Sequence, residues 1–318
     1  MSVSDSTRLN IVIVCYNCGA DIVRLLADID DGDLPLESIK LFVVDNASMD
    51  DSLAVLRPLS PKIHLIESEE NIGFAAGCNL GAAAIDNSAP ILFLNPDVRL
   101  QHDSLSNLLA FSVATPGAGI WGGVTCDAQG EYDGKSAWRE PSLIDLLSWS
   151  LGGDFLLRRT LGRTSGGYSP RTLRKGIGVD AVSGCFLLID QALFRLLNGF
   201  DEGFFLYSEE IDLCRRARTL GAQPRVTGNA VVLHAGSQTL SGINKLNHLY
   251  RSKLQYFAKH GSPVTVAVAR GLVALGSAIR FAAFSTLVYL GKGSKEQQSV
   301  WRQFLDDQWQ WYKAHRDA

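Results

Sequence analysis

Leu9-Asn10-Ile11-Val12-Ile13-Val14-Cys15, close to the start of the chain, is an almost unbroken run of β-branched and apolar residues. A strand covered on both faces reads this way, because neither face has to alternate with water. The run stops at Tyr16-Asn17-Cys18-Gly19, and Ile22, Leu25, Leu26 and Ile29 follow at helical spacing. The unit then repeats. Ile39-Lys40-Leu41-Phe42-Val43-Val44 is a second apolar strand that runs into Asp45-Asn46-Ala47-Ser48-Met49-Asp50-Asp51-Ser52. In that loop of short polar side chains, Asp50 or Asp51 is placed to cap the next helix. A third strand at 63–66 leads to an Ala/Gly-rich helix start, Asn71-Ile72-Gly73-Phe74-Ala75-Ala76-Gly77-Cys78-Asn79-Leu80-Gly81. A fourth, Ile91-Leu92-Phe93-Leu94, ends at Asn95-Pro96-Asp97. Strands alternating with helices predict an α/β domain with a largely parallel central sheet. Its polar residues gather beyond the strand ends, where open sheets of this class bind ligands.

Further along, Tyr207-Ser208-Glu209-Glu210-Ile211-Asp212-Leu213-Cys214-Arg215-Arg216 places three carboxylates where an aromatic, glycine-rich approach (199–206) enters a helix. Acids suit a first helical turn, so one reading is simple capping with a solvated face. Asp212 and Arg216 are spaced i,i+4 as a structural pair. Glu210, beside the Phe-rich approach, is placed to be partly desolvated, as a general base requires. Asp97 is held in a rigid turn by Pro96 and suits a hard divalent cation; the alternative is a cap for a helix at 104–111. His234 ends an apolar strand beginning at Arg225, where it is either structural or a second metal or phosphate ligand. Gly184 interrupts a predicted core strand, 182–189, and would let a ligand approach the backbone. Between these lie a glycine-broken strand (117–127), a polar loop (128–139), an apolar stretch (141–161) and a Gly/Ser/Arg-rich loop (165–178) read as the acceptor side.

Composition narrows the function classes. The 318 residues, 46% hydrophobic and 20% charged, suffice for one large domain with an appendage. A net charge of −3 gives no footprint for nucleic acid. The turn after the first strand has one glycine rather than Gly-x-Gly-x-x-Gly, and no phosphate-cradling Gly-Lys-Ser/Thr loop occurs. The six cysteines are read as buried free thiols, although Cys15 and Cys18 form a C-x-x-C. The first ten residues have no leader pattern. Beyond residue 240, an amphipathic helix from Asn244 to His260 precedes the apolar stretch 263–290, which is interrupted by Arg270 and Arg280. That stretch is read as an interfacial helix on anionic lipid, or as a packing face for the domain or a second subunit. Trp301, Trp309, Trp311 and Tyr312 follow in a last helix, as belt anchors or ordinary packing.

In chain order, Ile13-Val14-Cys15-Tyr16-Asn17, Val44-Asp45-Asn46-Ala47-Ser48-Met49-Asp50, Asn71-Ile72-Gly73-Phe74-Ala75, Leu94-Asn95-Pro96-Asp97, Ser183-Gly184-Cys185, Gly199-Phe200-Asp201-Glu202, Glu209-Glu210-Ile211-Asp212-Leu213-Cys214 and His234 form a set. Over residues 9–235 this set resembles the family 2 inverting glycosyltransferases of the GT-A fold, and within them the bacterial rhamnosyltransferase-like group. The resemblance implies a GT-A catalytic domain over 1–240, with a nucleotide-binding half to about 125 and an acceptor half from 126. A C-terminal helical region, 241–318, would meet membrane or a second subunit. It also implies a nucleotide-diphosphate sugar donor, with Tyr16 and Asp45 at nucleobase and ribose, Asn79 nearby, and Asn17, Asn46, Asn71, Asn95 and Gly184 completing the donor set. Asn95-Pro96-Asp97 stands for the family's Asp-x-Asp motif, so Asp97 would hold Mg²⁺ or Mn²⁺, with His234 completing that site. Glu210 falls where the family has its base, usually an aspartate, and Glu209, Asp212 and Arg216 would support it. The activity implied is that of a metal-dependent inverting hexosyltransferase acting on a glycan or polyprenyl-linked acceptor in bacterial surface polysaccharide and cell-wall synthesis. L-Rhamnose from dTDP-rhamnose is the favoured sugar; UDP-galactofuranose, UDP-glucose, or a non-catalytic sugar-nucleotide-binding protein are the alternatives. The implied location is cytoplasmic, peripheral at the inner face of the cell membrane.

Overall fold

A computed structural model describes residues 7–153, 167–173, 176–234 and 242–314. The chain divides into two compact units. Among the described residues the first holds 7–140, 167–173, 176–205 and 209–234, and the second holds 141–153, 206–208 and 242–314. In chain order the strands of the first unit are β1 (Leu9–Cys15), β2 (Ile39–Asp45), β3 (His64–Glu67), β4 (Ile91–Leu94), β5 (Val98–Leu100), β6 (Ile120–Cys126), β7 (Ala137–Trp138), β8 (Ile177–Gly178), β9 (Ala181–Val182), β10 (Phe186–Ile189) and β11 (Arg225–His234). Helices α1 (Gly19–Asp30), α2 (Ser52–Leu56), α3 (Gly73–Ala83) and α4 (Ser104–Ala114) belong to the same unit. The helices of the second unit start with α5 (Leu143–Ser150). Then follow α6 (Pro170–Leu173), α7 (Gln191–Leu196) and α8 (Glu209–Thr219) in the first unit, and α9 (Gly242–His260), α10 (Pro263–Tyr289) and α11 (Lys295–Ala314) in the second.

The main sheet runs β3-β2-β1-β4-β10-β6-β11-β5, with β8 paired to β11. β1 is buried along its whole length and pairs in parallel with β2 and β4, as its continuous apolar run predicts. The Ala/Gly richness of α3 has a packing cause. A Cβ at Gly77 would meet Val14 Cγ1 at 2.9 Å, and one at Gly81 would meet Val12 Cγ1 at 2.5 Å, so α3 lies directly on β1. Beyond β4 the sheet becomes mixed, because β10 is antiparallel to both β4 and β6. The stretch 182–189 is therefore not one strand. β9 pairs with β7 in a separate two-stranded sheet, and the chain turns through Ser183-Gly184-Cys185 before β10 begins. That reversal has a consequence for the site. The start of β10 faces the end of β4, and Asn95 N donates to Cys185 O at 3.0 Å.

One further expectation changes and another is narrowed. Cys15 and Cys18 are not free thiols but are joined as a disulfide, their Cα atoms 5.6 Å apart across the turn from β1 into α1. Asn17 in that turn has φ 56°, which folds Cys18 back over the strand end. Cys78, Cys126, Cys185 and Cys214 are free and buried as expected. Asp50, rather than Asp51, steadies the start of α2, its Oδ1 accepting from Ser52 N at 3.0 Å.

The second unit has its own core of Leu146, Tyr250, Leu254, Phe257, Ala269, Val273 and Phe304. The apolar stretch after Pro141 contributes α5 to it: Ser150 Oγ donates to Leu272 O at 2.6 Å, and Trp149 stacks on Tyr250 at 4.4 Å between ring centres. Residues 154–161 of that stretch lie outside the described residues, as do 165, 166, 174 and 175 of the Gly/Ser/Arg-rich loop and the tripeptide after His234. Trp301 packs inside this unit against Phe304, whereas Trp309 is 62% exposed.

Candidate functional site

The polar turns at the carboxyl ends of β1 and β2 are built together. Cys15 pairs with Asp45 in register, and Asn46 N donates to Cys15 O at 2.7 Å. Asn17 ties the two turns: its N donates to Ser48 Oγ at 2.9 Å and its Oδ1 accepts from Met49 N at 2.8 Å. Tyr16 stands half-buried beside them. Asp45 is fully buried. Its Oδ2 accepts from Ser48 N at 3.1 Å, while Oδ1 has no hydrogen-bond partner. An unpaired buried acceptor is costly to leave in a folded chain. Asn46 serves the scaffold: its Nδ2 donates to Asn71 Oδ1 and Gly73 O, both at 3.1 Å, and its Oδ1 accepts from Ile72 N at 3.0 Å. The Asn79 amide is engaged with Phe200 O and Glu202 Oε1 at 2.9 Å each and with Phe200 N at 2.9 Å, so it braces the approach to the acidic centre. It also lines a cavity of about 350 Å³, with Ile91, Phe194 and Arg195, that none of the other candidate residues reaches.

Asp97 and His234 meet because of sheet register. Val98, which follows Asp97, pairs with His234 across β5 and β11. Asp97 Oδ2 lies 3.5 Å from His234 Nε2, and the side chains are 17% and 11% exposed. The other ring nitrogen, Nδ1, faces Asp133 Oδ2 at 3.7 Å. Asp133 comes from the loop after β6, where the bridge between Cys126 and Tyr132 folds the chain back. Thr125 Oγ1 and Lys135 N donate to its Oδ1 and fix its orientation. Burial alone would lower the pKa of His234, but the flanking Asp133 and Asp97 carboxylates outweigh it and push it up to about 9. Burial would likewise raise Asp133, and His234, Thr125 and Lys135 together hold it below its ordinary value.

The carboxylate helix completes the site. Glu210 is 8% exposed, and a Cβ added at Gly184 would lie 3.7 Å from Glu210 Cβ and 3.6 Å from Phe74 Cε1. Gly184 thus leaves the space in front of Glu210 open. The Cys185 thiol, pushed up to about 12 by burial, feels the charges of Asp133, Asp97 and Glu210, so these carboxylates surround one turn. Glu209 is the neighbouring acid. It is buried and close enough to Cys78 of α3 to raise that thiol, and burial first and Glu210 second push its own pKa well above the carboxylate range. Asp212 is fully buried and pairs with Arg216 Nε at 2.7 Å, as the i,i+4 spacing predicts. Arg216 also donates to Leu197 O at 2.7 Å and Gly199 O at 2.9 Å, tying the helix to the glycine-rich approach. Arg216→Ala would strip this ion pair from the buried Asp212, and is expected to lower the unfolding free energy by about 3 kcal/mol in urea titrations. Backbone strain collects in the turns after β1 and β2, where Asn17 and Ala47 are non-glycine residues with positive φ.

Residues 10–195 match the profile described as Glycosyl transferase family 2. The chain belongs to that family. It is 29% identical over 252 residues to an N-acetylglucosaminyl-diphospho-decaprenol L-rhamnosyltransferase of Mycobacterium tuberculosis, covering 76% of this chain and 80% of the relative. It is 27% identical over 220 residues to Rhamnosyltransferase WbbL of Escherichia coli, covering 67% and 78%. Among solved structures it is similar to the mannosyltransferase PcManGT from Pyrobaculum calidifontis, in complex with GDP-Man and Mn²⁺. That match has a TM-score of 0.59 and 15% identity, over 95% of this chain and 84% of that one. The fold is GT-A, as the sequence resemblance implies.

In this glycosyltransferase Asp97 and His234, both read from sequence, face each other, and Asp97 and Glu210 both lie close enough to Cys185 to raise its thiol. Asp133 is the residue that reading missed. The tripeptide Tyr132-Asp133-Gly134 gives no periodic or capping signal in a polar loop, and only the strand pairing around it reveals its partner. Among the described residues, no three His, Cys, Asp or Glu side chains form a ready-made cation cage. Yet Asp97 Oδ2, Asp133 Oδ2 and both ring nitrogens of His234 are buried without hydrogen-bond partners. One carboxylate and one imidazole with unsatisfied atoms fit a hard cation that takes its remaining oxygens from phosphate and water.

Proposed function

We propose that this glycosyltransferase is an inverting, Mg²⁺- or Mn²⁺-dependent enzyme that moves L-rhamnose from dTDP-rhamnose to a hydroxyl of a polyprenyl-linked glycan. It would act at the inner face of the cell membrane in the synthesis of a bacterial surface polysaccharide. The observation that carries the chemistry is the Asp97–His234 pair, 3.5 Å apart with unsatisfied buried atoms, beside the same turn as Glu210. The choice of sugar and acceptor class is supported by the names of the two rhamnosyltransferase relatives, one of which acts on a lipid diphosphate.

The division of labour follows from charge. Asp97 and His234 would hold the cation, which neutralises negative charge developing on a departing nucleoside diphosphate. Asp133 keeps the His234 ring turned toward Asp97. Tyr16, Asn17 and the open Oδ1 of Asp45 form the nucleoside end, on a frame held rigid by Asn46 and Asn71. Glu210 accepts the proton of the acceptor hydroxyl as that oxygen attacks the anomeric carbon from the face opposite the diphosphate, which inverts it. Gly184 keeps that approach clear, and a larger side chain there would fill it.

The test is to incubate the purified protein and Mn²⁺ with dTDP-rhamnose, UDP-galactofuranose, UDP-glucose or GDP-mannose and a short-chain polyprenyl-diphosphate glycan. Transfer with dTDP-rhamnose, and an inverted anomeric proton coupling in the product, is expected. Transfer only from another donor, or retention of configuration, refutes the proposal as stated.

The raised pKa of His234 sets a pH dependence. A proton and a metal ion compete for the same ring, so Mn²⁺ affinity should climb as pH rises toward about 9, roughly tenfold per unit below it. In the metal-free protein the sign is opposite. The charged ring between two carboxylates contributes stability that is complete below 6.5 and is lost as pH rises through about 9. Calorimetric titrations with Mn²⁺ at pH 6.5, 7.5 and 8.5 read the first effect; a flat affinity would remove His234 from the metal site.

A further inference from the structure

Charge is unevenly distributed along this chain. Its net charge is −3, yet residues 242–295 contain eight lysines and arginines and no aspartate or glutamate. Within that basic region lies α10, whose 27 residues are long and apolar enough to cross a membrane by length and composition. The structure shows which way its two charges turn. Arg280 donates to Gly276 O at 2.9 Å and Trp149 O at 2.6 Å, and its guanidinium lies 4.1 Å from the centre of the Trp149 ring. Arg270 lies 5.6 Å from the ring of Tyr312. Both arginines therefore belong to the inner side of the second unit, toward α5 and α11.

The outer side carries no charge. Val264, Val268, Leu275, Ile279 and Leu287 are exposed, from 72% at Val264 to 39% at Leu287. The first four, at separations of four, seven and four, lie on one helix face over roughly 22 Å, and Leu287 lies beyond them near the end of the helix. The face ends in exposed Tyr289 and Leu290, followed by the exposed cations Lys292 and Lys295. An aromatic residue, an apolar one and then cations is the order found where an apolar surface passes into a head-group layer.

We propose that this outer face of α10 is a docking surface for an anionic phospholipid bilayer, lying in the interface plane and not spanning it. The charge pattern selects that partner: the outer face of α10 carries no acid and runs into exposed Lys292 and Lys295, which complement anionic head groups and would repel the same cations of a second copy. Spanning is disfavoured because the opposite side of α10 is covered by Trp149, Ser150 and Tyr312 and holds two arginines. The inference deepens the functional reading and rests on it in one respect, that the acceptor is carried by a membrane lipid.

The test sediments the full chain with vesicles of phosphatidylcholine alone or mixed with phosphatidylglycerol. Binding to the mixed vesicles that weakens with salt and is stripped by alkaline carbonate is expected. Leu275→Glu with Ile279→Glu, both at exposed positions, should reduce binding at least about tenfold with thermal unfolding unchanged. Lys292→Glu with Lys295→Glu should cause a smaller loss, confined to the anionic vesicles. Four results would overturn the proposal: no binding of the unaltered chain, unchanged binding of the Leu275/Ile279 variant, carbonate resistance, or a soluble dimer that the variant dissolves without any vesicle binding. Transfer to a water-soluble acceptor reads the functional reading separately. Retained transfer in a variant that no longer binds vesicles supports the surface, whereas vesicle binding without any rhamnose transfer refutes only the functional reading.

Discussion

Glu210→Gln is expected to slow sugar transfer by about 10²–10⁴-fold while the donor Kd stays within about twofold. The amide has nearly the same shape as the carboxylate, so the start of α8 and its packing near Phe74 and Gly184 should survive. What it loses is the capacity to take a proton from the attacking hydroxyl. A loss of that kind lowers the single-turnover rate without touching nucleotide affinity, and rapid-quench measurement with donor in excess separates the two. The neighbouring acid supplies the control. Glu209 is buried close to Cys78 of α3, whereas Glu210 lies against Gly184, so the two acids have different neighbours. Glu209→Gln should therefore retain most of the chemical rate. If it is the dead variant and Glu210→Gln turns over normally, the assignment of the base is reversed.

The fate of these two glutamates shows what could be read in the sequence. Spacing alone places three acids in the first turn of a helix, and the Phe-rich approach before them points to burial. It does not say which acid faces the cleft, because that depends on how α8 rolls against α3 and the Gly184 turn. The strands β1, β2 and β4 were legible because a strand buried on both faces has no other way to read than a continuous apolar run. The direction of β10 was not legible, since hydrophobic periodicity is the same in either direction. Yet that antiparallel entry is what puts Ser183-Gly184-Cys185 beside Asn95-Pro96-Asp97. Asp133 was hidden for a related reason. Its importance comes from a bridge across β6 and from facing a strand end a hundred residues later, which no local pattern records. The tie between Asn79 and the approach loop was hidden in the same way, since its partners Phe200 and Glu202 lie more than a hundred residues later.

Asp97→Ala is expected to abolish metal-dependent donor binding: Mn²⁺ should no longer strengthen nucleotide-sugar affinity, and the ion itself should bind at least about 100-fold more weakly. The magnitude follows from comparison with supporting residues, whose removal alone typically costs about 10–100-fold in metal affinity. Among the described residues Asp97 is the carboxylate that faces Nε2 of His234, so its loss takes an oxygen ligand from a hard cation that prefers oxygen. Asp133→Asn should show the intermediate behaviour, within that 10–100-fold range, because the ring loses its partner at Nδ1 while the oxygen at Nε2 remains. The two variants also separate in solution without turnover. Calorimetry and the electron paramagnetic resonance signal of free Mn²⁺ should rank unaltered protein, Asp133→Asn and Asp97→Ala in that order of affinity. Donor binding without metal should be equal in all three. Should Asp97→Ala bind Mn²⁺ as tightly as the unaltered chain, the cation is held elsewhere, and the pairing of Asp97 with His234 is a structural contact between β5 and β11 only.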